Sequence, residues 1–218
     1  MSYYKHESAY VDEGCQIGNG TKIWHFAHIQ SGATIGRDCI LGQNVNIAND
    51  VVIGDNVKIQ NNVAVYTGTT IESDVFLGPS CVLTNVTNPR SQVKRHSLYE
   101  KTLIRRGATV GANATIVCGI TLGRYAFVAA GATITKDVSD YVMVIGCPAK
   151  PYAYVSRHGH ILCKYEVMRE GAIYVCPESG YKYTVLNGVM KCLDLDEEMP
   201  LPDSLSIGRA PYDSFKSK

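Results

Sequence analysis

Six basic side chains crowd one short stretch of the chain: Arg90, Lys94, Arg95, Lys101, Arg105 and Arg106, with Glu100 the only acid between Pro89 and Arg106. The whole chain has 218 residues and a formal charge of +1, so this stretch is a local concentration of positive charge. Arginine forks and lysine point charges at such density suit phosphate and carboxylate groups. Ordinary charge on a solvated loop is the plainer alternative. The histidines are His6, His25, His28, His96, His158 and His160. His25 and His28 are three apart, which invites a metal reading; outward polar positions near a subunit contact account for them more simply. His96 lies in the basic stretch and is a candidate proton acceptor. Amides form another set. Gln43 and Asn44 recur eighteen residues later as Asn61 and Asn62. Asn tolerates left-handed turn geometry, so a structural role competes with a chemical one. Asn85 stands alone, just ahead of the basic stretch. Cys163, Cys176 and Cys192 resemble half of a zinc ribbon. A ribbon wants paired Cys-x-x-Cys knuckles, and Ser179 stands three after Cys176 where the second Cys belongs, so the segment reads as a metal-free hairpin unit.

The elements that must position these groups follow a period of six. A hydrophobic residue falls at Val11, Ile17, Ile23, Ile29, Ile35, Leu41, Ile47, Ile53, Ile59, Val65, Ile71, Leu77 and Leu83, then again at Ile104, Val110, Ile116, Leu122, Val128 and Ile134. Four residues after most of these comes a small or β-branched residue, such as Ala27, Ala33, Cys39, Val45 or Val57. Six is the period of neither a helix nor an alternating strand. It predicts a solenoid of short strands and turns stacked as a prism, three hexads to a coil and about 30 Å tall at strand spacing. The prism is expected to begin at Val11. After Leu83 the next hexad is due at 89 but arrives at 104, which places an inserted loop from Pro89 to Leu103. Loops of this length are commonly functional. Past Ser139 the period fades. The expected organisation is a prism domain over residues 1–151, a small β appendage over 152–193 and a flexible or surface-hugging tail over 194–218.

Near-neutral net charge argues against a general nucleic-acid binder. No apolar run is long enough to cross a membrane, and Met1 to Tyr10 lack a signal-peptide core. A cytoplasmic protein is expected, in which Cys15, Cys39 and Cys81 are reduced thiols at small inward positions.

The hexads fit aliphatic-Gly-x-x-small-x, as in Ile35-Gly36-Arg37-Asp38-Cys39-Ile40 and Ile53-Gly54-Asp55-Asn56-Val57-Lys58. That pattern resembles the hexapeptide-repeat acyltransferases. The resemblance implies an all-β fold, a left-handed parallel β-helix with one inserted loop and a small C-terminal β unit. The run Gly146-Cys147-Pro148-Ala149-Lys150 is also similar to that family, where such a segment ends the helix beside coenzyme A. Further runs are Ile23-Trp24-His25-Phe26-Ala27-His28, Lys58-Ile59-Gln60-Asn61-Asn62-Val63, Gly78-Pro79-Ser80, Thr84-Asn85-Val86-Thr87-Asn88-Pro89-Arg90 and Gly123-Arg124-Tyr125-Ala126-Phe127. With His158-Gly159 and Cys176-Pro177, they resemble the bacterial nucleotide-sugar 3-N-acetyltransferases. The best fit is the group acting on UDP-2-acetamido-3-amino-2,3-dideoxy-glucuronate in surface-polysaccharide (O-antigen) synthesis.

This resemblance implies a homotrimer with acetyl-CoA between neighbouring prisms; with the residue readings above, no metal, nucleic acid or membrane insertion is expected. Acetyl-CoA would follow the second block of hexads past Ala112, Ala130 and Lys136 toward Pro148 and Lys150. The UDP-linked amino sugar would lie near His28, Gln43, Asn62, Arg90, Arg95 and Lys101, with Asn85 orienting its amine. Many family members that acetylate a hydroxyl use a histidine base. No histidine falls within 104–139, which favours an amine acceptor. Trp24, the single tryptophan, is expected at a subunit contact. Three alternatives stay open: transfer to another UDP- or dTDP-linked amino sugar, or of a longer acyl chain; a zinc enzyme of carbonic anhydrase type; and a non-catalytic scaffold.

Overall fold

Two-residue strands alternate with tight turns from Tyr4–Lys5 onward, and each strand pairs in parallel with the one a coil later. Lys22–Ile23 pairs with Ile40–Leu41, which pairs with Lys58–Ile59, an offset of eighteen residues. Three faces result. The first contains Lys22–Ile23 and its partners, the second His28–Ile29 and its partners, the third Thr34–Ile35 and its partners. This computed structural model describes residues 2–208 and 210–215.

Each strand points one residue inward. Ile23, Ile29, Leu41, Ile47 and Ile59 are fully buried, and the small residues Ala33, Cys39, Val45 and Val57 fill the corners between them. Each buried Ile, Leu or Val contributes roughly 1.5–3 kcal/mol by leaving water. The third residue past each inward aliphatic adopts a left-handed backbone, as at Asp38, Asn44, Asp50, Asn56, Asn62 and Asp74. Asn and Asp tolerate that conformation, which is why they recur there. Phe26, Tyr125 and Tyr141 adopt it too, and bulky residues do so only where the surroundings impose it. Glycines such as Gly36 follow the aliphatic because the next coil passes close: a Cβ on Gly36 would stand 2.5 Å from the Gly54 backbone.

Four boundaries differ from the sequence reading. The prism starts at Tyr4–Lys5, which pairs with Lys22–Ile23, and not at Val11; Lys5 occupies the aliphatic position, so the pattern misses this coil. The inserted segment ends before Thr102, because Thr102 and Leu103 already pair with Thr69 and Thr70. The last coil is two residues short, since Leu122 bridges Val138 and Phe127 pairs with Met143. A division at residue 151 cuts the strand Ala149–Val155, which folds back antiparallel on Val142–Gly146 and pairs on its other side with Ile161–Lys164. Beyond it, Ile173–Val175, Lys182–Leu186 and Val189–Cys192 form a three-stranded antiparallel sheet over Cys176, Tyr183, Val185 and Met190.

Because the core is a single column of interlocked aliphatics, Ile59→Ala should cost about 2–5 kcal/mol. Phe76→Ala, on the outer side of the neighbouring strand, should cost under about 1 kcal/mol. Urea unfolding midpoints of both variants against the parent measure the contrast.

Candidate functional site

Stacking turns residues eighteen apart into columns. The edge between the first and second faces, the first edge, carries His25, Gln43, Asn61, Pro79, Ala112 and Ala130 in one column. Backbone bonds tie it together: Asn62 N–H donates to the Gln43 carbonyl at 2.9 Å, Ser80 to Asn61 at 3.0 Å, Asn113 to Pro79 at 3.1 Å and Gly131 to Ala112 at 2.9 Å. The lower rungs are amides. The Gln43 N–H donates to Asn61 Oδ1 at 2.9 Å and Asn44 Nδ2 donates to Asn62 Oδ1 at 3.1 Å. The upper rungs carry only alanine, half-buried at Ala112 and exposed at Ala130.

The second edge, between the second and third faces, carries Asn85, Cys118 and Lys136. Here the inserted segment leaves the prism. The structure therefore sets Gln43, Asn62, Ala112 and Ala130 on one border of the second face and Asn85 and Lys136 on the other, and does not gather them into one contact cluster. His28 lies on the same face but lower. Its strand is separated from Val82–Leu83 by Asn46–Ile47 and Ala64–Val65, so it stands about 14 Å below at strand spacing. Its Nε2 meets Asp12 Oδ1 at 2.9 Å and the Tyr10 ring packs edge-on against it. Pro148 and Lys150 are exposed at the turn of the hairpin that closes the prism.

The inserted loop folds on itself through an Arg90–Val93 bridge and a short 3-10 turn at His96–Leu98. It encloses an open cleft of about 410 Å³ lined by Arg90, Lys94, Arg95 and His96 together with Tyr99. Arg95 Nε is buried there without a hydrogen-bond partner. A donor so placed invites an anionic acceptor. Lys101 is exposed at the root of the loop and does not line the cleft. Arg105 and Arg106 leave the cationic set altogether: Arg105 faces Glu72 at 3.6 Å, and Arg106 pairs with Asp74 and, at 3.6 Å, with Glu198.

That pairing belongs to the third edge, which the hexads did not mark. Gly107, Tyr125 and Tyr141 stack there, with the two tyrosine rings 5.0 Å apart and nearly parallel. Arg157 lies over Tyr125 at 4.5 Å. Its wholly buried side chain donates to Tyr141 Oη and Glu197 Oε2, and to the carbonyls of Leu195 at 3.2 Å, Asp196 at 2.8 Å and Met199 at 2.9 Å. Arg124 holds Glu198. The tail is thus strapped to the prism. Burial pushes the Tyr125 hydroxyl up to about 12, so it stays protonated. In the appendage, burial opposes ionisation of Cys176, but hydrogen bonds from His158, Ser156 and Ser179 outweigh it and bring the thiol down to about 6. Among the described residues, no three His, Cys, Asp or Glu side chains converge as a metal would require. No helix among them is long and apolar enough to cross a membrane. Trp24 is partly exposed beside the first edge, its indole packed on Tyr4 and parallel to His25.

Comparison with known proteins matches residues 14–49 and 50–85 to the family described as bacterial transferase hexapeptide (six repeats). Residues 32–67 and 104–136 match the hexapeptide repeat of succinyl-transferase. The dTDP-3-amino-3,6-dideoxy-alpha-D-galactopyranose 3-N-acetyltransferase of Aneurinibacillus thermoaerophilus is 38% identical over 190 residues, 87% of this chain and 95% of that protein. The bifunctional protein GlmU of a Synechococcus species is 32% identical over 130 residues, 60% of this chain but only 27% of that protein. In fold, a hexapeptide-repeat containing acetyltransferase of Vibrio cholerae, solved with acetyl coenzyme A, superposes with a TM-score of 0.50 at 24% identity, covering 57% of this chain and 72% of that one.

The strap yields a test of its own. Arg157→Ala removes the donors that hold the tail, so a Glu-specific protease should cut at Glu197 and Glu198 at least about tenfold faster. Arg157→Lys should not restore protection, because lysine lacks the planar fork. Limited proteolysis followed by mass spectrometry reads both.

Proposed function

The chain belongs to the hexapeptide-repeat transferase family, and from that premise we propose that it moves an acetyl group from acetyl-CoA to the 3-amino group of a nucleotide-linked amino sugar. The observation that carries this reading is the cationic cleft with its unpartnered Arg95 Nε, on a loop that leaves the prism directly after Asn85. The 38% identical relative, named for the same kind of transfer, supports it along almost its whole length. For the acceptor we propose UDP-2-acetamido-3-amino-2,3-dideoxy-glucuronate, on the route to a surface polysaccharide in the cytoplasm: a diphosphate plus a uronate carboxylate suits Arg90 and Arg95 in the cleft, with Lys101 at the root of the loop. A second reading, a dTDP-linked 3-amino sugar, is favoured by the named acceptor of the relative.

In the proposed reaction the sugar amine, with a pKa of roughly 8 beside electron-withdrawing ring substituents, is already neutral in part. Asn85 accepts a hydrogen bond from that amine and aims its lone pair at the thioester carbonyl. The N–C bond forms, the C–S bond breaks, and the departing CoA thiolate ends with the amine proton. His28, Gln43 and Asn62 would hold the sugar nucleotide from the first edge and second face. Acetyl-CoA would lie along the alanine rungs at Ala112 and Ala130, with Lys136, Pro148 and Lys150 toward its phosphates. We propose a homotrimer whose clefts draw on two neighbouring prisms, with the partly exposed Trp24 at the contact.

The reading is tested by incubating the protein with acetyl-CoA and a panel of UDP- and dTDP-linked amino sugars and following thiol release and product mass. A 3-N-acetylated product is expected; no transfer to any member would overturn it. Sedimentation at micromolar concentration should give a trimer. In steady-state kinetics Asn85→Ala should lower kcat about ten- to a hundredfold, which is roughly 1.4–2.8 kcal/mol of transition-state stabilisation. His28→Ala and His96→Ala should keep most of kcat, and a thousandfold loss in either would make that histidine the base. Arg95→Ala or Lys101→Ala should raise the sugar KM while sparing that of acetyl-CoA, at a cost of about 1.5–3 kcal/mol for one charge-assisted contact.

A further inference from the structure

The inserted loop removes a turn from the second edge. Gly68 and Gly119 occupy the left-handed turn position one coil below and one coil above the gap. Val86 should fill the turn between them, but the chain has left the prism there. Glu100, returning from the far end of the loop, takes its place. Its carbonyl lies so close over Gly68 that a Cβ there would stand 2.8 Å from it, and a Cβ on Gly119 would collide with its carboxylate.

From this slot Glu100 reaches both ends of the segment that carries Asn85. Its N–H donates to the Asn85 carbonyl at 2.9 Å. Its carboxylate accepts a hydrogen bond from the Thr87 hydroxyl and a longer one, at 3.6 Å, from the Cys118 thiol. Thr87 Oγ1 and Cys118 Sγ are themselves 3.7 Å apart, and the Cys118 N–H donates to Thr84 Oγ1 at 2.9 Å. Residues 85–87 lie outside any strand, and these bonds tie their corner to the returning end of the loop and to the coil above.

We propose that Glu100 is the positioning residue for Asn85: by filling the vacated turn and clamping both ends of the Asn85–Thr87 segment, it fixes the direction in which the Asn85 amide meets the acceptor amine. This rests on the role given to Asn85 above. A carboxylate otherwise out of place in a cationic loop then has a geometric task, and it requires glycine at 68 and 119.

The test uses the full chain carrying Glu100→Ala, Glu100→Gln, Thr87→Val or Asn85→Ala. Glu100→Ala should lower kcat between about ten- and a hundredfold while leaving the acetyl-CoA KM within about twofold, the signature of a misaimed group. Glu100→Gln, whose amide oxygen still accepts from Thr87, should keep kcat within about threefold. Hydrogen exchange at the amides of residue 100 and Cys118, which donate to the Asn85 carbonyl and to Thr84 Oγ1, should quicken at least about tenfold in Glu100→Ala and in Thr87→Val, and stay as in the parent in Glu100→Gln. If Glu100→Ala keeps its kcat while Asn85→Ala loses it, Glu100 does not position Asn85. If Glu100→Gln falls as far as Glu100→Ala, charge and not position is what matters, and the proposal is overturned. Exchange that is unchanged in Glu100→Ala and Thr87→Val refutes the clamp whether or not any sugar is turned over. A parent protein that acetylates no amino sugar, with the clamp intact by exchange, would instead count against the assigned reaction.

Discussion

Backbone pairing between residues one coil apart governs this molecule. The N–H of Lys22 goes to the Cys39 carbonyl, that of Ile40 to Val57 and that of Lys58 to Val75, and the same step repeats on all three faces. A parallel stack of two-residue strands has no local hairpin to fall back on. Each strand satisfies its polar groups only if its neighbour keeps register, because a buried unpaired N–H or carbonyl costs more than a hydrogen bond contributes. Register in turn superposes the corners. The amide ladder on the first edge, the gap on the second and the tyrosine stack on the third are all consequences of that one repeat.

Where register was carried by side-chain type, the sequence displayed it. The inward aliphatics and the Asn, Asp and Gly turn residues mark most coils, and the jump from Leu83 to Ile104 marks the insertion. Where register was carried by backbone alone, it was hidden. Lys5 stands in an aliphatic position, yet Tyr4–Lys5 still pairs because strand hydrogen bonds ignore side chains. The two-residue shortening, by contrast, leaves a trace in residue type: the aliphatic due at 140 is Asp140, and Val138 and Val144 carry the period on two residues early. Among site groups, Arg95 was legible from charge and its buried Nε supports the reading, whereas Arg105 and Arg106, identical in type, turn to acids on the other edge. Glu100 was visible only as a lone acid; its partners Thr87 and Cys118 lie 13 and 18 residues away and meet it only through the loop's return.

The third edge shows how an appendage without much core of its own is held. Arg157 commits its guanidinium to Tyr141, Glu197 and three tail carbonyls while stacking on Tyr125. A buried cation is costly unless fully paired, so each of these partners stabilises the others. Tyr125 and Tyr141 accept left-handed turns at their corners, and the strap that covers them fixes the geometry that makes this tolerable.

The insertion between Leu83 and Thr102 has an evolutionary meaning. A coil stack of this kind accepts a change in length in two ways: a whole added coil, or an excursion that departs and returns at one corner. The fifteen extra residues are of the second kind, and Glu100 is the residue that closes the detour. The loop is therefore a cassette. Its cationic lining is open to being rewritten, or exchanged between lineages, without disturbing the alanine rungs on the opposite border of the same face. Loop lining and coil stack are thereby free to drift at different rates within one chain.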